Sequence, residues 1–168
     1  IPENENKEKF QKEYNNIQTE FMNKDIDFDE YLNKSVDVVY DIDYNNVPSM
    51  IIEVVVFIGY FAIFQYYNKG QTLGKKIMKI KVVNTKGKEL TLNQVVCRAL
   101  IANSILINLL ILGCVLFVGR NNYFYLSMVL QGIDGIILIT SLILILVRKD
   151  GKSLHDLVTS TKVVNANN

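Results

Sequence analysis

The sequence predicts an all-α membrane protein: a transmembrane helix bundle carrying a small cytoplasmic β-hairpin cap and a helical, acidic extracytoplasmic segment. Two observations support this reading. First, long apolar runs occupy about residues 48–67, 99–119 and 123–147. At ~1.5 Å of rise per residue each reaches ~30 Å, the thickness of a hydrocarbon core, where only helices or closed barrels satisfy their own backbone. Second, charge is segregated. Residues 1–48 hold twelve of the seventeen acids against five lysines, whereas residues 69–98 hold seven lysines and Arg98 against Glu89 alone. The whole-chain averages, 168 residues with 49% hydrophobic and net charge +1, would pass for a soluble protein. Only the arrangement along the chain reveals the membrane class.

Lysine and arginine in short loops mark the cytoplasmic side. The connection 68–98 and the tail 148–168 are therefore assigned inside, and residues 1–48 and the turn at Gly119–Asn122 outside. Three alternating spans then give an outward N-terminal segment and an inward C-terminus. An outward segment of this length needs a preceding hydrophobic signal, and the chain opens at Ile1. The expectation is a fragment of a parent with a fourth, upstream span, or a product of signal-peptidase processing. The domains expected are an acidic segment over 1–48 and a transmembrane domain over 49–164.

In chain order, Phe10, Tyr14, Ile17 and Phe21 recur at helical spacing among polar residues and predict an amphipathic helix. Asp27 followed by Glu30 reads as a helix start, giving a second short helix through Tyr31 and Leu32. Val36–Tyr44 alternates loosely and reads as a strand, and Pro48 punctuates entry into the first span. Lys79–Leu90, KIKVVNTKGKEL, carries β-branched residues around an Asn84-to-Gly87 turn and predicts a hairpin. A lone hairpin is marginal in water, and Thr161–Asn165, TKVVN, has the composition to supply a further strand. Thr91 caps the helix leading into the second span, and Ser153 caps a short helix containing His155 and Asp156. Cys97 and Cys114 lie ~25 Å apart on one helix axis and cannot bridge.

Asp134 lies about eleven residues into the last span, where an unpaired carboxylate is costly, and it is the strongest site candidate. Gln131 precedes it by one turn, and Asn103, Ser104 and Asn108 mark a polar face on the neighbouring span. Two roles are open to this set: a proton or cation pathway, or hydrogen-bonded glue between helices. Glu53, about five residues inside the outer boundary, is a snorkelling acid or the mouth of a cation vestibule. Arg98, at an inner helix end, reads as an interfacial anchor, and Lys75, Lys76, Lys79 and Lys81 enforce topology or attract anionic headgroups.

Soluble-enzyme chemistry finds little support. Gly70–Lys76, GQTLGKK, is one spacer short of a phosphate loop and has Lys where magnesium needs Ser or Thr. Asp41, Asp43 and Asn45 open like a calcium loop, but Asn46 and Ile52 replace its turn glycine and closing glutamate. No Cys/His cluster offers a metal site, His155 belongs to no nucleophile motif, and the sequence implies no cofactor, nucleic-acid partner or enzymatic activity.

Gly70–Val83, GQTLGKKIMKIKVV, then Arg98 at the opening of a span, then GKSLHDLVTSTKVV over Gly151–Val164 resemble the RDD family of bacterial membrane proteins. The resemblance covers about residues 50–164. It implies that the family's naming arginine and first aspartate belong to an upstream helix outside this sequence. It carries over to Gly70, Gln71, Thr72, Gly74 and Lys75 in the loop, to Arg98, and to His155, Asp156 and Thr161 in the tail. It also implies the bacterial cytoplasmic membrane, and some members resemble sodium/proton antiporters in activity. In the residues themselves, Gly70 and Gly74 allow tight turns, Thr72 is a cap for a turn over Leu73–Met78, and Asp156 is placed to pair with Arg98 or a loop lysine.

The leading expectation is passage of a small cation or proton through Asp134, with Glu53 near the mouth, in a homo-oligomer because three spans are few for a complete path. The alternative is a non-transporting scaffold or accessory subunit that docks a partner through the Phe10, Tyr14, Ile17 and Phe21 stripe.

Overall fold

The computed structural model describes residues 2–166, with side chains from residue 8 onward, and resolves into two compact units. Helix α1 (Pro2–Met22) and parts of α2 (Phe28–Phe57), α6 (Ile105–Phe117) and α7 (Arg120–Val147) build the first unit, which takes in residues up to Ile51 and Leu110–Leu130.

Within this unit α1 lays its apolar stripe on the start of α2. Ile17 is buried, the Phe21 and Tyr31 rings sit 4.7 Å apart, and Lys34 of α2 bridges to Glu20 at 2.9 Å. Asp27 starts α2 as expected, its Oδ1 accepting from the Glu30 N–H at 2.8 Å. The helix then runs 30 residues, not the short segment expected. The strand expected over Val36–Tyr44 is helix. Leu32, Ser35, Val36, Val39, Tyr40 and Asp43 are all buried or half-buried, and their i, i+3, i+4 spacing is the stronger period. Pro48 lies inside this helix on an exposed face. There the loss of its N–H removes one bond without meeting a packed neighbour.

The first unit closes on polar contacts from α2. Tyr123 donates to Asp43 at 2.6 Å, Arg120 bridges Asp41 at 2.8 Å, and Tyr40 donates to the Val115 carbonyl at 3.3 Å while meeting Tyr123 edge-on. Tyr123 and Val115 are fully buried there.

The second unit comprises Ile52–Leu109 and the chain from Gln131 onward. Here the α2 path continues as a π-helical stretch, Ile58–Phe64, and a last turn, α3 (Gln65–Tyr67). After these come α4 (Leu73–Ile77), β1 (Ile80–Asn84), α5 (Leu92–Ala102), α8 (Leu154–Val158) and β2 (Thr161–Asn165). The core is Val54, Ala62, Val95, Ala99 and Ile105, with Phe57, Phe61 and Leu100 packed around it.

Two expectations are corrected in this unit. The hairpin expected over Lys79–Leu90 does not form. A tight turn closes after β1, the Asn84 and Lys88 main chains bonding at 3.0 Å and Gly87 taking φ +80°, but the return arm has no β-branched residue and stays irregular. β1 instead pairs antiparallel with the tail strand β2, Val82 opposite Val163. The second span is also not one straight helix: α5 and α6 meet at a 68° bend. Asn103 ends α5 with its side chain turned back to the Ala99 carbonyl, and Ser104 takes φ +54°, a left-handed step that breaks the helical ladder.

Phe28–Tyr67 and Arg120–Val147 are each long and apolar enough to cross a bilayer, and the bent α5–α6 pair adds a third if it crosses as one span. Their outer faces carry exposed Ile133, Ile136, Leu142 and Leu146 on α7 and Leu106, Leu109 and Leu110 on α6. Apolar exposure on that scale suits lipid rather than water.

Candidate functional site

Two polar constellations stand inside the second unit. The first gathers the sequence-matched residues of loop and tail. The α3–α4 connection turns at Gly70, where φ is +83° and an added Cβ would lie 2.1 Å from the Val82 carbonyl oxygen. Only glycine fits, because the Gly70 carbonyl receives the Val82 N–H of β1 at 3.0 Å. Gly74, by contrast, sits in α4 with open space where a Cβ would go, so no tight turn requires it. Gln71 donates to the Ile80 carbonyl at 2.8 Å and holds the connection on β1. Thr72 is buried and precedes α4 in extended conformation, but its hydroxyl does not cap the helix; the Leu73 N–H donates to the Tyr60 hydroxyl instead, at 3.1 Å.

Thr91 caps α5 through a reciprocal capping box with Gln94, and this presents Arg98 one face inward. Arg98 is buried rather than an exposed anchor. It ion-pairs with Asp156 and donates to the Thr161 hydroxyl at 2.8 Å. Asp156 is itself placed by the Ser153 capping box of α8, accepting from the Ser153 hydroxyl at 2.8 Å and the Thr161 hydroxyl at 2.9 Å. Gln94 adds a tie to the Thr159 carbonyl at 3.0 Å. The result is a polar latch joining α5, α8 and β2.

Burial pushes the Asp156 carboxyl upward, but the Arg98 guanidinium and the bonds from Ser153 and Thr161 outweigh it and hold the group below the ordinary range. Lys75 reaches Gln65 at 3.2 Å; burial first, and the nearby Arg98 charge second, lower its ammonium to about 8. The same two causes lower His155 to about 4, so it is neutral at pH 7. His155 orients the tail through its backbone carbonyl, which accepts from the Thr159 hydroxyl at 2.6 Å.

The second constellation is Asp134. Its Oδ2 accepts from the Ser104 hydroxyl at 2.9 Å, so the acid meets α6 at the bend. Asn103 precedes Ser104 in sequence but spends its amide on the Ala99 carbonyl. Asn108 is half-buried one turn further along α6, while Gln131 and Glu53 are exposed. Of the pathway candidates, only Ser104 is brought into direct contact with Asp134. A helix that ends at Ala102 also leaves its last carbonyls without intrahelical donors, which concentrates oxygen acceptors around the bend. The signal for the break was the Asn103-Ser104 pair within an apolar run.

Apolar helices of spanning length, a basic loop folded onto the tail, and a buried arginine–aspartate latch mark an integral membrane protein. A family model described as "RDD family" matches residues 26–160. The chain belongs to the RDD family. The match starts within the connection ahead of α2, well before residue 50. The chain is also 30% identical over 118 residues to "Uncharacterized protein YckC" of Bacillus subtilis (strain 168), an alignment that covers 70% of this chain and 62% of that protein. No solved structure matches.

Proposed function

We propose that this protein passes a small cation or a proton across the cytoplasmic membrane through Asp134. The carrying observation is the Ser104–Asp134 hydrogen bond at the break between α5 and α6. Discontinuous spans supply the backbone oxygens and helix ends that ion sites in membranes use, and an intramembrane carboxylate beside one is a functional site by default. Asp134 is the proton or cation acceptor, Ser104 its orienting donor, and exposed Glu53 an outer acid near the route. The protein is not an enzyme on this reading. The bent α5–α6 pair crosses as the third span, the lysine-rich loop and tail lie in the cytoplasm, and residues ahead of α2's apolar stretch lie outside. A second copy of the chain completes the path.

Ion flux in proteoliposomes under imposed sodium and proton gradients tests this, wild type beside Asp134→Asn. Flux lost in a folded mutant supports the reading; equal flux in both overturns it.

A scaffold role is favoured by one feature of the first unit. Phe28 and Met22 are exposed beside the Phe21–Tyr31 ring pair at the α1–α2 corner, an apolar tip suited to a partner. Flux absent from wild type, with a partner's binding lost on Phe28→Ser, would put that role first.

A further inference from the structure

We propose that the two-stranded sheet carries a binding site for a phosphate-bearing anion, separate from Asp134 and independent of ion passage. One face of the sheet presents Lys81 and Val83 from β1 and Lys162 and Val164 from β2, because alternate residues share a face and the register sets Lys81 opposite Val164 and Val83 opposite Lys162. This diagonal of ammoniums over a valine floor lines a cavity of about 460 Å³, within the range of small-molecule sites. Lys69 and Glu89 stand on its rim, so three lysines face one glutamate.

The placement is specified by the fold. Lys69 holds a left-handed backbone, φ +52°, immediately before the Gly70 turn that is bonded to β1, and the tail strand brings Lys162 from the far end of the sequence. Lysines serving only as topology signals need no such convergence.

The apolar floor with a cationic rim fits a ligand with a short organic body and a phosphate. Lys69 follows the end of the Phe28–Tyr67 helix by two residues, which sets the cavity at headgroup depth if that helix spans the bilayer. Two sources share the chemistry: the headgroup of an anionic lipid and a soluble organic phosphate.

The test uses the whole chain purified in neutral detergent, with phosphatidic acid retention read by native mass spectrometry and glycerol 3-phosphate binding read by calorimetry. Removing Lys69, Lys81 and Lys162 together as glutamines should weaken binding about 100-fold, taking about fivefold per ammonium. Gln at Lys76, Lys79 and Lys86, exposed lysines outside the cavity, should change it less than about threefold. Val164→Glu keeps every lysine and should cost as much as the cavity triple, and unchanged thermal midpoints establish that each variant is folded. Loss of lipid retention alone assigns the site to a headgroup, and loss of glycerol 3-phosphate binding of equal strength assigns it to a soluble phosphate. Equal losses in the two triples, or no loss in the cavity triple, overturn the proposal.

Discussion

Asp156 is a buried carboxylate and Asp134 a half-buried one in the same unit, and their surroundings differ in kind. Asp156 has its oxygens engaged by Arg98, Thr161 and Ser153, with His155 at 3.8 Å. Among the described residues Asp134 accepts a hydrogen bond from Ser104 alone, and Oδ1 takes no part in it. A carboxylate accepts about four hydrogen bonds, so the first is saturated and the second keeps capacity for a ligand. The lesson is that burial alone does not identify a site in a membrane protein; unspent hydrogen-bonding capacity does. A saturated acid holds elements together, and an unsaturated one beside a broken helix can receive a proton or a cation.

The comparison breaks first at the latch. Arg98→Ala or Asp156→Ala leaves one buried charge without its partner and should cost about 3–5 kcal/mol, read as a fall in unfolding midpoint in detergent. The double replacement Arg98→Met, Asp156→Leu removes both charges and should cost clearly less than either single change. A single mutant within about 1 kcal/mol of wild type would show that the pair is solvated and that saturation is the wrong distinction. Gly70→Ala comes next. The left-handed φ alone costs about 1–3 kcal/mol, and relieving the contact with the Val82 carbonyl must move β1, so the midpoint should fall and β2 should become more open to proteolysis.

How much of this was legible beforehand differs by element. The apolar stretches, the α1 stripe and the caps at Asp27, Thr91 and Ser153 are local patterns, and each appears where its spacing places it. The β1–β2 pairing joins residues 80 and 165, and composition places TKVVN as a strand beside the 79–90 loop without fixing that it replaces the hairpin's return arm. Val36–Tyr44 misled because a short β-branched run fits period two as well as 3.6, and the stripe from Leu32 to Asp43 decides only over a longer window. The pairing of Asp156 with Arg98 is one of the two that the sequence analysis offers, but a lone arginine at a helix end carries no sign of burial, so it reads as an interfacial anchor. The bend could not be read at all from hydropathy, since Asn103 and Ser104 barely interrupt the apolar run. Asp134 was recognisable as costly, but Ser104 as its one donor follows only from the left-handed step at the bend.

The latch and the Asp134 pair should also separate by pH. His155 titrates at about 4 when folded against an ordinary 6.5, so the unfolded chain binds the extra proton between those values. Stability should therefore fall as pH drops from about 6.5 to 4. In His155→Gln this fall should be shallower, while the flux assigned to Asp134 keeps its pH profile. Lys75 works at the other end: its folded value near 8 against 10.5 makes the unfolded state the better proton binder, so stability rises from pH 8 to 10.5 in wild type and rises less in Lys75→Met. A steep acid fall that survives His155→Gln would move the sensitive group out of the latch.

The smallest expected stability effect belongs to Ser104→Ala, and it separates the two carboxylates most sharply. Hydrogen bonds between helices in a membrane are worth about 0.6 kcal/mol on average, so loss of the Ser104 hydroxyl should lower the unfolding midpoint only slightly. If Ser104 merely glues α6 to α7, flux should follow that small change. If it orients Asp134 at an ion site, flux should fall about tenfold or more while the midpoint stays within about 1 kcal/mol of wild type, because a misdirected acceptor costs far more in transfer than in packing. Ser104→Asn tolerates the left-handed backbone and keeps a side-chain donor, and it should restore much of the flux, which a packing role alone would not produce. An Asn variant no better than Ala would assign the bond to helix packing and leave Asp134 without its orienting partner.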